Sequence, residues 1–262
     1  MLDVPFALAR IHDLPDGLIQ LLHDLSRRGS DPAKIAREHL SSDDAWRIEV
    51  ESFEQADILA EIALATGVRQ YLKDAFISGD LVRYWRYTLS CAITCAELSK
   101  CTGQNTPLAF SCGLLHDLGR LALMTGYPAQ YANLFAVTEL AFSRHENVNI
   151  SAQERLLFGF DRFQTGEWLV EKWKLPEFFK GIAGKFQTVQ NDAGFDLTGL
   201  TRAGCSIAFA FGYGLMLGAP KRPIEELTVG LPQEIIDCFG EDLSGLKTAV
   251  DETLERWSKL LL

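Results

Sequence analysis

His116 and Asp117 stand side by side in the run Gly113-Leu-Leu-His-Asp-Leu-Gly-Arg-Leu-Ala-Leu123. An imidazole and a carboxylate at adjacent positions can both reach one metal ion, and such an ion can activate water for hydrolysis. Two protein ligands alone rarely hold a catalytic metal, which normally takes three or more. The chain has five histidines, His12, His23, His39, His116 and His145. None of the other four stands at metal-ligand spacing from another, so half-buried or solvated roles are expected for them. Cys91 and Cys95 have the i, i+4 spacing that would suit a metal, but small core packing is the expected use of two thiols in an Ala-rich run.

The elements that must position the pair read as helices. Apolar residues recur at helical spacing and no β-branched run alternates long enough to suggest a sheet, so the expected class is all α, a multi-helical bundle with a packed N-terminal helical lobe. Leu14-Pro15 opens an amphipathic segment through Arg28, and Asp31-Pro32 caps a second helix to about Leu40. Ser42-Asp43-Asp44 caps the next, with a helix over Phe53 to Thr66 interrupted by Gly67 and another from Val68 through Phe76. The central region predicts a helix from Leu81 to Lys100, and one from Thr106-Pro107 to Gly126-Tyr127-Pro128 with His116 in its middle. Pro128 to Ala141 predicts a further helix. Ser151-Ala-Gln-Glu154 has the pattern of a capping box, and Asp161 caps Arg162 to Trp173. Glu177 to Gly184 forms a short helix before a polar loop, Gln187 to Gly194. A long apolar helix covers about Leu197 to Leu217, followed by two amphipathic helices.

Composition narrows the partners. The 262 residues carry a formal net charge of -10 without a dense Lys/Arg tract, which disfavours nucleic acid and anionic lipid. The longest apolar stretch, Ile207 to Ala219, is shorter than the roughly 20 residues a spanning helix needs, and no signal peptide is indicated at Met1-Leu-Asp-Val-Pro-Phe6. The six cysteines sit mostly inside apolar helical runs, as reduced thiols do, so a cytoplasmic protein is expected.

Taken in order, Gly113-Leu-Leu-His-Asp-Leu-Gly119, Phe158-Gly-Phe-Asp161, Gly166 and Trp173-Lys-Leu-Pro176 resemble an HDOD domain, a signalling offshoot of the HD-domain phosphohydrolases. Leu14-Pro15 and Leu40-Ser-Ser-Asp43 extend the resemblance toward the N-terminus. It implies a domain over residues 12–215, with an N-terminal lobe at 12–80 and a degenerate HD-like core at 81–215, followed by a helical extension at 216–262. The HD enzymes, as the resemblance implies, set further His and Asp ligands around the pair. In this chain those positions hold Tyr87, Arg162, Lys185 and Phe186, and the late helix Thr201 to Ala208 has no acidic residue. The hydrolytic site therefore reads as dismantled, with no catalytic residue, metal or cofactor expected. His116 and Asp117 then remain as a buried polar pair. Arg162 or Lys185 could replace the metal's charge beside Asp117; alternatively, these cations with Arg86 and Arg120 could bind a phosphate, nucleotide or cyclic dinucleotide. The implied function is a non-catalytic regulatory or scaffolding module of bacterial signal transduction with a protein partner. The rival is a metal-dependent phosphohydrolase or phosphodiesterase acting on nucleotides or cyclic dinucleotides.

Overall fold

In the computed structural model, the described residues are 14, 16–27, 29, 31–41, 59–72, 79–184 and 195–261, and the structured elements among them are all helical. The expected cap at 42–44, the polar loop at 187–194, His12, Lys185 and Phe186 lie outside them. Helices α1 (Asp16–Leu25) and α2 (Pro32–Ser41) follow the expected punctuation: the Asp31 carboxylate accepts from the backbone N–H groups of Ala33 and Lys34, both at 3.1 Å. Helix α3 (Leu59–Leu72) runs straight through Gly67, where an interruption was expected. Ala63, Leu64, Ala65 and Val68 are buried on either side, and that burial outweighs the roughly 1 kcal/mol a helical glycine costs.

Helix α4 (Gly79–Thr102) is the spine of the fold. It starts with Asp80 in its first turn and stops at Gly103, whose φ of 65° no ordinary side chain favours. Its buried polar residues are satisfied locally. Ser90 donates to the Arg86 carbonyl, Thr94 to that of Ser90 and Ser99 to that of Ala96. Helix α5 (Thr106–Leu115) packs against α4, capped by Asn105 with Pro107 in the first turn.

A single helix was expected from Thr106 to Gly126, but the chain breaks at His116-Asp117 and resumes as α6 (Leu118–Gly126). Asp117 sits at φ −113°, ψ 31°, outside helical values. No proline or glycine marks the break; it serves the packing of α6 on α9 (Arg162–Lys172), which comes so close that a Cβ on Gly119 would lie 1.8 Å from the Arg162 carbonyl oxygen. Between these two lie α7 (Pro128–Ser143) and α8 (Ile150–Phe158). The cap of α8 is Asn149, whose side chain accepts from the Ala152 N–H at 3.0 Å, rather than the expected Ser151-x-x-Glu154 box. Glu154 is instead fully buried.

After α10 (Phe178–Ala183), α11 (Leu197–Ala208) packs on α4. It ends sooner than expected: a π-helical turn at Phe209–Tyr213 carries Gly212 at φ 105°, which closes the helix well before Leu217. The C-terminal part holds three helices, not two: α12 (Ile224–Thr228), α13 (Gln233–Phe239) and α14 (Ser244–Leu261), divided by Pro232 and Gly240. Leu246, Val250, Leu254 and Trp257 bury one face of α14, which packs on α4. No helix among the described residues is long and apolar enough to cross a membrane.

Candidate functional site

The break between α5 and α6 sends the two residues of the motif to different partners. His116 closes α5 and is buried. Its Nδ1 lies 2.7 Å from the Gly113 carbonyl, which can only accept, so Nδ1 carries the proton. Its Nε2 lies 2.8 Å from the Tyr87 hydroxyl of α4. Burial lowers the imidazole pKa, with the Asp117 charge pulling the other way, and burial also raises the Tyr87 phenol well above its ordinary value. A neutral imidazole accepting from a neutral phenol follows. The edge-on ring contact, with centroids 5.2 Å apart, holds the same geometry.

Asp117 stands at the N-cap of α6 but makes no side-chain cap bond. Its carboxylate takes Arg120 Nε at 2.5 Å on one oxygen, and on the other faces Arg162 Nε at 3.8 Å. Its carbonyl accepts from the Tyr84 hydroxyl at 2.9 Å. Arg162 in turn donates to Glu154 through its guanidinium at 3.2 Å and its backbone N–H at 3.1 Å, and the other Glu154 oxygen accepts from Tyr131 at 2.5 Å. Two guanidinium groups and two carboxylates thus alternate in a buried, charge-balanced chain from Arg120 to Glu154. Burial works to lower the Arg120 pKa, but Asp117, Tyr131 and Glu154 together outweigh it and keep the guanidinium charged. Alternation is what makes the burial affordable, because each desolvated charge meets its opposite in a medium of low dielectric.

Geometry separates the residues that sequence groups together. Arg162 faces Asp117 from 3.8 Å, whereas Arg120 lies far closer. Arg86 is exposed and its charge falls on Asp251 and Tyr213, so it does not join Arg120 and Arg162. Those two guanidinium groups face carboxylates, which weakens an anion pocket built from them. Asp161 caps α9, accepting from the N–H groups of Phe163 and Gln164 at 3.0 Å while Gln164 accepts from the Asp161 N–H. Of the other histidines, His23 bonds the Lys174 carbonyl at 2.7 Å, His39 pairs with Asp24 at 3.0 Å, and His145 lies in the turn after α7 with φ 60°.

A metal bound in the HD manner does not fit these residues. The position expected to supply a further imidazole holds the Tyr87 phenol, and the Asp117 oxygens that would face an ion face guanidinium groups instead. Two features were missed in the sequence. The spacing of Glu154 from Ser151 fits a capping box and an inward turn equally well, and the structure shows the latter. Cys205 counts in the sequence as one more reduced thiol in an apolar helix, yet its sulfur lies close to the Cys91 sulfur and a His116 ring nitrogen: one ligand atom from each is within 4.8 Å of the others.

The profile of the HDOD domain matches residues 56–185. Among solved structures, a protein from Shewanella amazonensis SB2B, provisionally named a phosphohydrolase, is 24% identical with a TM-score of 0.64, covering 98% of both chains. An HDOD domain protein of unknown function from Geobacter sulfurreducens is 16% identical with a TM-score of 0.65, covering 96% of this chain and 91% of its own. A protein from Marinobacter aquaeolei VT8, provisionally named for signal transduction, is 18% identical with a TM-score of 0.67, covering 96% of this chain and 64% of its own. At these identities the likeness is one of fold. No curated protein matches the chain.

Proposed function

We propose, from the premise that this chain is an HDOD-domain protein matched to its family over residues 56–185, that it acts as a non-catalytic regulatory or scaffolding module in bacterial signal transduction. One observation carries this reading: the Asp117 carboxylate is paired with Arg120 at 2.5 Å inside a buried chain of charges. Metal-assisted hydrolysis requires an anchored ion with an open position for water, and a carboxylate bonded to a guanidinium does not supply the anchor. The signalling role is the family's, and the name of the Marinobacter protein agrees with it. In this reading the working unit spans residues 12–215 with the helical segment at 216–262 packed on it, the partner is another protein, and the compartment is the cytoplasm.

The test is a hydrolysis assay. Purified protein supplied with manganese, iron or magnesium is expected to release no product above background from nucleotide monoesters or cyclic dinucleotides, and Asp117→Asn to change nothing in that assay. Turnover that requires one of these metals and disappears in Asp117→Asn would overturn the reading in favour of a phosphohydrolase.

A further inference from the structure

We propose that Cys91, His116 and Cys205 form a binding site for one thiophilic divalent cation, zinc, held between α4, the α5–α6 junction and α11. The three ligand atoms lie within 4.8 Å of one another and all three residues are buried. Tetrahedral zinc with two thiolates and an imidazole has ligand atoms about 3.5–3.8 Å apart, given Zn–S near 2.3 Å and Zn–N near 2.0–2.1 Å. Closing the present spacing takes a shift of about 1 Å, within the reach of side-chain rotation. The site shares only His116 with the HD motif and includes no Asp117 oxygen.

Three further observations bear on the same place. The Gly113 carbonyl binds Nδ1–H at 2.7 Å, which leaves Nε2 as the atom with a lone pair to offer. That backbone acceptor behind a ring nitrogen is the partner that metal-binding histidines usually have. The Tyr87 hydroxyl lies 2.8 Å from Nε2, so it stands at the position an ion on that nitrogen would take and must turn aside to admit one. The helices bearing the three ligands are held at close range. A Cβ on Gly113 would lie 2.6 Å from the Ala92 Cα, and one on Gly204 would lie 2.6 Å from the Cys95 sulfur, so α5 and α11 both meet α4 at van der Waals distance beside the ligands.

Charge and ligand type select the ion. Two thiolates and a neutral imidazole around a divalent cation sum to zero, the least costly charge state for a dry interior. Soft sulfur ligands favour zinc over magnesium, calcium or manganese. Binding releases the two thiol protons to solvent as the two Zn–S bonds form, with no change in oxidation state. The α4–α5/α6–α11 junction is thereby cross-linked, giving the domain a metal-loaded and a metal-free form.

Cobalt(II) reports each ligand separately. Titrated into the reduced full-length protein, it is expected to saturate at one ion per chain, with thiolate-to-cobalt charge-transfer absorption and the visible bands of a tetrahedral ion, to release about two protons per ion, and to be displaced by zinc. Cys91→Ala and Cys205→Ala should each lose about half of the charge-transfer intensity per bound ion, His116→Gln should shift the visible bands while retaining the charge transfer, and Cys238→Ser, at an exposed thiol, should leave the spectrum unchanged. Far-ultraviolet circular dichroism of each variant shows whether it is folded. Absence of charge transfer in folded, reduced wild-type protein would overturn the proposal, as would full intensity in folded Cys91→Ala and Cys205→Ala. Neither result touches the hydrolysis assay above, which stands or falls on phosphoester turnover.

Discussion

Asp117→Ala is expected to lower stability by about 3–5 kcal/mol, the cost of leaving a buried charge without its partner. The mechanism is specific to the arrangement around the α5–α6 break. Arg120 is buried and bonds Asp117 at 2.5 Å, and Arg162 faces the second carboxylate oxygen from 3.8 Å. Removing the carboxylate leaves two guanidinium groups to share the single charge of Glu154. Asp117→Asn retains the shape and an acceptor for Arg120 Nε but not the charge, so its loss should be smaller, about 1–3 kcal/mol. For a chain of this size each kcal/mol moves the melting temperature by about 2–4 °C, so Asp117→Ala should melt about 6–20 °C below wild type. Thermal and urea melts of both variants check the order. Equal and negligible losses would mean that the pair contributes nothing to the fold.

Gly119→Ala should be as damaging, for a steric rather than an electrostatic reason. A Cβ there would sit 1.8 Å from the Arg162 carbonyl oxygen and 2.5 Å from the Gly166 nitrogen. Both are backbone atoms of α9, so no side-chain rotation relieves the clash and the two helices must separate. The expected loss is at or above the upper end of the roughly 1–3 kcal/mol typical of overpacking. Separation would also carry Arg162 away from Asp117. Gly181→Ala is the matched control: it lies in α10 with nothing within 4 Å of its Cβ, and should be neutral or gain about 0.5–1 kcal/mol from helix propensity. Urea unfolding of the pair decides, and a Gly119→Ala loss below about 1 kcal/mol would show that the α6–α9 contact is looser than described.

Helices were legible where local chemistry marks their ends. Asp31-Pro32, Thr106-Pro107 and Asp161 each announced a start that the structure places within a residue or two, because an N-cap or a first-turn proline acts through its immediate neighbours. The break at His116-Asp117 was not legible. Its cause is the approach of α6 to α9, more than forty residues away, and Gly119 reads from sequence alone as one more helical glycine. Gly67 erred in the opposite direction, an interruption expected from propensity and overridden by burial. At the site, the identity of the motif was readable but its pairing was not. Arg120 is one turn from Asp117 and could have been named as its partner by i, i+3 spacing, whereas Glu154 and Cys205 come from helices that only the tertiary fold brings to the pair.

The most direct measurement of whether Asp117 serves this internal charge chain is a double-mutant cycle on Asp117 and Arg120, read by urea unfolding of wild type, Asp117→Ala, Arg120→Ala and the double variant. Strong pairing predicts that the double variant loses less than the two single losses combined, with a coupling of about 2 kcal/mol or more. A coupling below about 0.5 kcal/mol would mean the two residues act independently, and would return Asp117 to the pool of ligands available for hydrolytic chemistry.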